Sequence, residues 1–215
     1  MTTGRSRRVV LLRHGRTEWN ASGRFQGQLE APLDVMGKAQ ALAAAVAVAE
    51  MQPDAIVSSD LSRTADTAAA VAAETGLDVV LDPRLREIHL GSWQGLTRAQ
   101  ARERFPEEYA GWQAGEDRRR GDGETYEEVG RRATECVVEW LDKLGPGATL
   151  LAVTHGGTAR ATIGSLLGFD PDLYWRLSPL GNCRWSLLAD IGRGWRLEEH
   201  NAGSPPAEET GDDAR

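Results

Sequence analysis

The sequence predicts an α/β fold built on a mostly parallel sheet. Short apolar runs at residues 9–12, 55–58, 77–81 and 149–153 have the length and composition of buried strands. Ala-rich, helix-favouring stretches separate the first three. Strand and helix in alternation imply parallel strands joined by right-handed crossovers.

The elements follow in order. Val9 to Leu12 carries no polar side chain and is the first strand. Pro32-Leu33-Asp34-Val35-Met36-Gly37 leads into a helix expected over 38–51, which Gln52-Pro53-Asp54 ends. The second strand, 55–58, closes on Ser59 and Asp60. A helix is expected over 61–75, with Asp60 as its cap and Gly76 as its stop. The third strand is 77–81. Residues 84–96 read as irregular, and 97–115 as two short helices split near Pro106. A charged loop covers 116–123. Thr125 and Glu128 form a capping-box pattern that opens a helix to Leu144, with Val129, Ala133, Val137, Trp140 and Leu144 as its apolar stripe. After Gly145-Pro146-Gly147 come the fourth strand, 149–153, and a helix expected over 158–167. Runs at 184–189 and 195–198 flank a Gly-containing turn and read as a hairpin. Residues 202–215 are rich in Pro, Gly and acid and are expected to be a disordered acidic tail, which leaves 1–201 as one folded domain.

Composition narrows the function. A 215-residue chain that is 40% hydrophobic can bury one substantial core. Its net charge of -7 argues against nucleic acid as the main partner. No apolar run has the length of a membrane span, and the basic N-terminus lacks a signal-peptide core, so a cytoplasmic location is expected. The two cysteines, Cys136 and Cys183, have neither C-x-x-C spacing nor the number of a disulfide framework and read as free thiols.

Three strand ends carry polar clusters: Arg13-His14-Gly15, Ser58-Ser59-Asp60 running into Arg63, and Thr154-His155-Gly156-Gly157. In a parallel sheet these ends share one edge, where α/β folds place their ligands. Arg13, His14, Arg63 and His155 would then converge on an electropositive pocket suited to a phosphoryl group. A neutral imidazole held in one tautomer can attack phosphorus, and Gly15 lets backbone approach the other ring nitrogen of His14. Arg13, Arg63 and His155 would stabilise the equatorial oxygens. Glu87, just after the third strand, is the candidate proton donor to the leaving alkoxide. The four histidines show no metal-ligand spacing, which weakens a metal reading, and there is neither a G-x-x-x-x-G-K-[ST] loop for a nucleotide nor a G-x-S-x-G elbow for a serine nucleophile.

These residues resemble a known family. Leu12-Arg13-His14-Gly15-Arg16-Thr17 with Asn20, then Arg24-Phe25-Gln26-Gly27, Ser58 to Arg63, Leu85 to Gly91 with Trp93 and Gly95, and Thr154-His155-Gly156-Gly157 resemble the motifs of the histidine phosphatase (phosphoglycerate-mutase-like) superfamily, in order. The resemblance implies a three-layer α/β/α sandwich with a small helical cap insertion, here about residues 97–124. It implies that His14 is the phosphorylated nucleophile, that Arg13, Arg63 and His155 complete the phosphate pocket, and that Glu87 is the acid. Thr17, Asn20, Gln26, Gly27 and the backbone of Gly156 match positions that line the pocket. It implies a small phosphorylated metabolite as partner, no cofactor, and a homodimer.

Within the family, mutases have Arg and Tyr where this chain has Ile88 and Leu90, and a longer segment before the helix at Thr125. The departures favour a phosphatase. The alternatives are mutase-type phosphoryl transfer and, in another class, a non-catalytic phospho-ligand binding module. Gln26 to Leu29, Val57 to Leu61, and the Leu85 to Thr97 motifs are most similar to the actinobacterial glucosyl-3-phosphoglycerate phosphatase group, which implies that substrate. Outside the motifs, Arg118-Arg119-Arg120 read as a solvated loop among acids, or else as a source of one carboxylate-binding Arg. Trp19, Trp93 and Trp112 are candidate walls of a sugar-sized pocket, with core packing expected for at least two. Asn182 precedes the hairpin and reads either as a residue that approaches the site or, in preference, as turn chemistry.

Overall fold

The computed structural model describes residues 5–203. Six strands form one sheet: β1 (Arg8–Arg13), β2 (Ala55–Ser58), β3 (Val79–Leu81), β4 (Thr149–Thr154), β5 (Trp185–Asp190) and β6 (Trp195–Ala202). Their order is β3-β2-β4-β1-β5-β6. The first four strands are parallel, while β5 runs antiparallel to β1 and β6 antiparallel to β5. The expected mostly parallel sheet is therefore present, with the hairpin as its antiparallel edge.

Period-two alternation divides the core between two faces. Val9, Leu11, Leu150, Ala152 and Leu188 pack with Ala133, Val137 and Leu141 of helix α6 (Tyr126–Leu144) and with Ala159 and Ile163 of α7 (Gly156–Leu166). Val10, Leu12, Ile56, Leu151 and Val153 pack on the other face with α2 (Val35–Ala49) and α3 (Ser62–Thr75). This is a three-layer α/β/α arrangement.

A third apolar cluster lies beyond the sheet. Trp93 joins Phe25, Ile88, Leu90, Trp112 and Tyr126 with residues of α4 (Arg98–Arg104) and α5 (Pro106–Ala114). Trp93 and Trp112 are 0% and 4% exposed, so they are core and not pocket walls, while Trp19 is only partly covered. Cys136 and Cys183 are free, buried thiols, each pushed up to about 12 chiefly by desolvation.

Several boundaries differ from expectation for identifiable reasons. Asp60 does not cap α3: Leu61 is the N-cap without a side-chain bond, and Asp60 instead takes both nitrogens of the Arg86 fork at 2.6 Å each. A bidentate ion pair is the stronger use of a carboxylate. Helix α7 begins at Gly156, two residues early, because the Glu87 carboxylate accepts from the N–H groups of Gly157 and Thr158 and so satisfies its first turn. A short helix, α1 (Glu18–Ala21), was not anticipated; Thr17 and Asn20 close a capping box around it. Ala202, assigned above to the tail, ends β6 opposite Trp185, and the rest of the tail expectation from residue 204 lies outside the described residues.

Candidate active site

Strands β2, β4 and β1 are neighbours, so their C-terminal ends lie side by side. Cross-strand bonds continue past them: the N–H of His14 donates to Thr154 O at 3.0 Å and that of Ser59 to Val153 O at 3.0 Å. Arg13, His14, Arg63, Glu87 and His155 are all buried there. The His14 and His155 rings meet edge to face with centroids 5.2 Å apart.

Each ring is held by a partner whose role is unambiguous. A carbonyl only accepts, so Nδ1 of His14, 2.7 Å from Gly15 O, carries a proton. A guanidinium only donates, so Nδ1 of His155, 3.2 Å from Nε of Arg63, is unprotonated, and its Nε2–H donates to the Ser59 hydroxyl at 2.9 Å. Burial holds both rings well below the ordinary imidazole range, reinforced for each by Arg63 and Arg13; for His155, His14 also contributes. His14 is thus a neutral imidazole with a lone pair on Nε2, and His155 a neutral imidazole with an N–H on Nε2.

The lining residues are tied to this pair. Arg63 donates to Leu29 O at 2.8 Å and to Gly27 O at 2.7 Å, which fixes the segment after Gln26 against the site. Nη1 of Arg13 donates to Leu180 O at 2.5 Å. The Thr17 hydroxyl lies 3.1 Å from Oδ1 of Asn20 and 3.2 Å from Oε1 of Gln26, gathering three of the expected pocket residues. Gly156 opens α7 directly after His155, so a helix N-terminus faces the same edge. Gly15 is required by close packing: a Cβ there would meet Gly37 O at 2.4 Å.

Glu87 reaches this edge from a distant segment. Its Oε1 accepts from the N–H groups of Ile88 at 2.8 Å and Thr158 at 2.9 Å, and Oε2 from Gly157 N–H at 3.1 Å. Its own carbonyl is held by Gln28 Nε2 at 3.0 Å and Arg132 Nη2 at 3.1 Å. Sequence reasoning missed Arg132, Thr158 and Ser59 as supports. Only Ser59 had a signal, its place in a strand-end cluster.

The cap arginines divide. Arg118 pairs with Glu116 and Arg119 takes both oxygens of Glu128, as a solvated charge run does. Arg120 departs from that reading, because it is 3% exposed and lies 5.0 Å over the Tyr126 ring.

The histidine phosphatase superfamily (branch 1) model matches residues 9–203. The chain belongs to the histidine phosphatase superfamily. The chain is 38% identical to a glucosyl-3-phosphoglycerate phosphatase of Mycolicibacterium vanbaalenii, over 94% of this chain and 98% of that protein. It is 35% identical to a probable phosphoglycerate mutase GpmB of Enterobacter sp., over 88% of this chain and 90% of the other. A solved mycobacterial glucosyl-3-phosphoglycerate phosphatase complexed with VO3 superposes with a TM-score of 0.86 at 38% identity, covering 92% of this chain and all of that one. In this histidine phosphatase Ile88 and Leu90 are each 2% exposed and sit in the third apolar cluster.

Proposed function

We propose that the protein is a metal-independent phosphomonoesterase that hydrolyses a small phosphorylated metabolite through a phosphohistidine on His14. Nε2 of His14 attacks phosphorus as the bond to the leaving oxygen breaks, and Glu87 supplies the proton that oxygen needs. Arg13, Arg63 and His155 meet the charge on the equatorial oxygens, with Asn20, Gln26 and the backbone of Gly156 as further pocket groups. Water, giving up a proton to Glu87, then attacks phosphorus as the P–Nε2 bond breaks, which releases phosphate and restores both the acid and the neutral ring. The observation that carries this reading is the tautomer of buried His14, whose Nδ1–H is taken by Gly15 O so that Nε2 keeps its lone pair, beside His155 and the two arginines.

Hydrolysis is favoured over mutase chemistry because Ile88 and Leu90 point into an apolar cluster and offer no donor to a retained sugar acid. Glucosyl-3-phosphoglycerate is the favoured substrate, on the strength of the relatives that carry its name over nearly the whole chain. Among the described residues no helix is long and apolar enough to cross a membrane. A cytoplasmic site of action suits such a metabolite. A panel of glucosyl-3-phosphoglycerate, 3-phosphoglycerate, sugar phosphates and nucleoside monophosphates, ranked by kcat/KM, tests the proposal. Glucosyl-3-phosphoglycerate is expected first, and exchange between 2- and 3-phosphoglycerate without phosphate release would overturn the hydrolytic reading.

A further inference from the structure

Asn182 lies in the turn that precedes β5, yet its side chain bonds nothing in that turn. Nδ2 donates to the carbonyl of His14 at 3.0 Å and to Oδ1 of Asn20 at 3.3 Å. Both orientations are forced by the partners. The His14 carbonyl can only accept, so the nitrogen of Asn182 must face it. The N–H of Thr17 donates to the Asn20 side chain at 3.1 Å, so the atom there is Oδ1. The two hydrogens of one amide are therefore divided between the backbone of the nucleophile and a side chain of the phosphate pocket. Oδ1 of Asn20 is thereby held from two sides, by Thr17 and by Asn182. The next residue adds a second tie, because the N–H of Cys183, at φ +54°, lies 3.2 Å from both Arg13 O and His14 O.

We propose that Asn182 is a positioning residue of the phosphoryl site. It couples the carbonyl of His14 to the carboxamide of Asn20, so that the nucleophile and this pocket residue keep one relative placement. This rests on the roles proposed above for His14 and Asn20. A turn residue with only local work would bond its own neighbours, whereas these partners are 168 and 162 positions away.

The test is a double-mutant cycle with Asn182→Ala and Asn20→Ala, read by kcat and KM for p-nitrophenyl phosphate and by the inhibition constant of inorganic phosphate. Asn182→Ala is expected to weaken phosphate and lower kcat/KM by about tenfold, and by under threefold in the Asn20→Ala background, since contacting residues couple strongly. Asn182→Asp keeps the shape but sets an acceptor against two acceptors, so it is expected to lose more than Asn182→Ala. Losses that simply multiply in the double variant, or that track the Tm of each variant whatever its chemistry, would overturn the proposal. His14→Ala measured alongside separates the failures. If His14→Ala is inactive and Asn182→Ala is indistinguishable from the parent, this proposal alone falls. If His14→Ala stays active, the reading of the nucleophile falls and takes this proposal with it.

Discussion

Nε of Arg63 donates to Nδ1 of His155 across 3.2 Å, a contact between a permanent cation and an imidazole that exists only while the ring is neutral. The same guanidinium holds two carbonyls of the neighbouring segment. Arg63 therefore sets the tautomer of one histidine and the position of a pocket wall, besides bringing charge.

Arg63→Lys keeps the charge and loses the fork. A single ammonium cannot serve His155, Gly27 and Leu29 together. The variant is expected to lose about a hundredfold or more in kcat/KM, the scale of removing one preorganised charge-stabilising donor. Steady-state kinetics within fivefold of the parent would contradict this role.

His14→Ala removes the only lone pair aimed at phosphorus in the proposed mechanism. A fall in kcat of roughly a thousandfold or more is expected for a lost covalent nucleophile. Rapid acid-free quenching of the parent with labelled substrate should trap phosphate on protein, and none should be trapped on the variant.

Glu87→Gln leaves a group that fits the α7 N-terminus but cannot deliver a proton. Alkyl phosphates need that proton, whereas p-nitrophenolate leaves without it. The loss on an alkyl phosphate is expected to exceed the loss on p-nitrophenyl phosphate by about a hundredfold. Equal losses on both substrates would show that Glu87 is not the acid.

Gly37→Ala tests the packing behind Gly15 and Arg16, next to His14. The added Cβ would lie 2.0 Å from Arg16 O, backbone against backbone, with no flexible side chain to yield. Overpacking of about 1–3 kcal/mol is expected, at roughly 2–4 °C of Tm per kcal/mol for a domain of this size. Calorimetry should show the fall in Tm, and kcat should fall with it because Gly15 crosses at the same point.

Stability should depend on pH through the two site histidines. Both are held below their unfolded range of about 6.5. Below that pH the unfolded chain takes up protons that the folded site refuses, so stability is complete above about pH 6.5 and declines as pH falls through it. Urea midpoints from pH 8 to 5 should show this decline, and His155→Gln should flatten it by about one proton. An unchanged slope in the variant would mean that His155 is not held neutral.

Much of the architecture and site was legible because its signals are local. Val9 to Leu12 is apolar without interruption, Thr125 and Glu128 mark a helix start three residues apart, and His14 was already paired with a glycine whose carbonyl takes its Nδ1–H. What escaped depends on partners far along the chain. Asp60 looks like a cap until Arg86, 26 residues on, takes its carboxylate. The early start of α7 reflects Glu87, about 70 residues before it. Arg132 is one more arginine on a helix until its fork is found on the carbonyls of Arg84, Arg86 and Glu87. Nothing in the residues around Arg120 distinguishes it from its two solvated neighbours.

The antiparallel hairpin has a practical consequence for handling the protein. Trp185 is paired both with Leu12, two residues before His14, and with Ala202, so the chain leaves Gly203 on the catalytic side of the sheet. The other end leaves from the opposite side, where Arg5 lies against Gly147. Six residues of β1 separate the two sides, about 20 Å of strand. An affinity tag, fluorophore or surface tether joined ahead of Arg5 is held away from the pocket. The same attachment after Gly203 starts from the edge that holds His14, two strands away from β1.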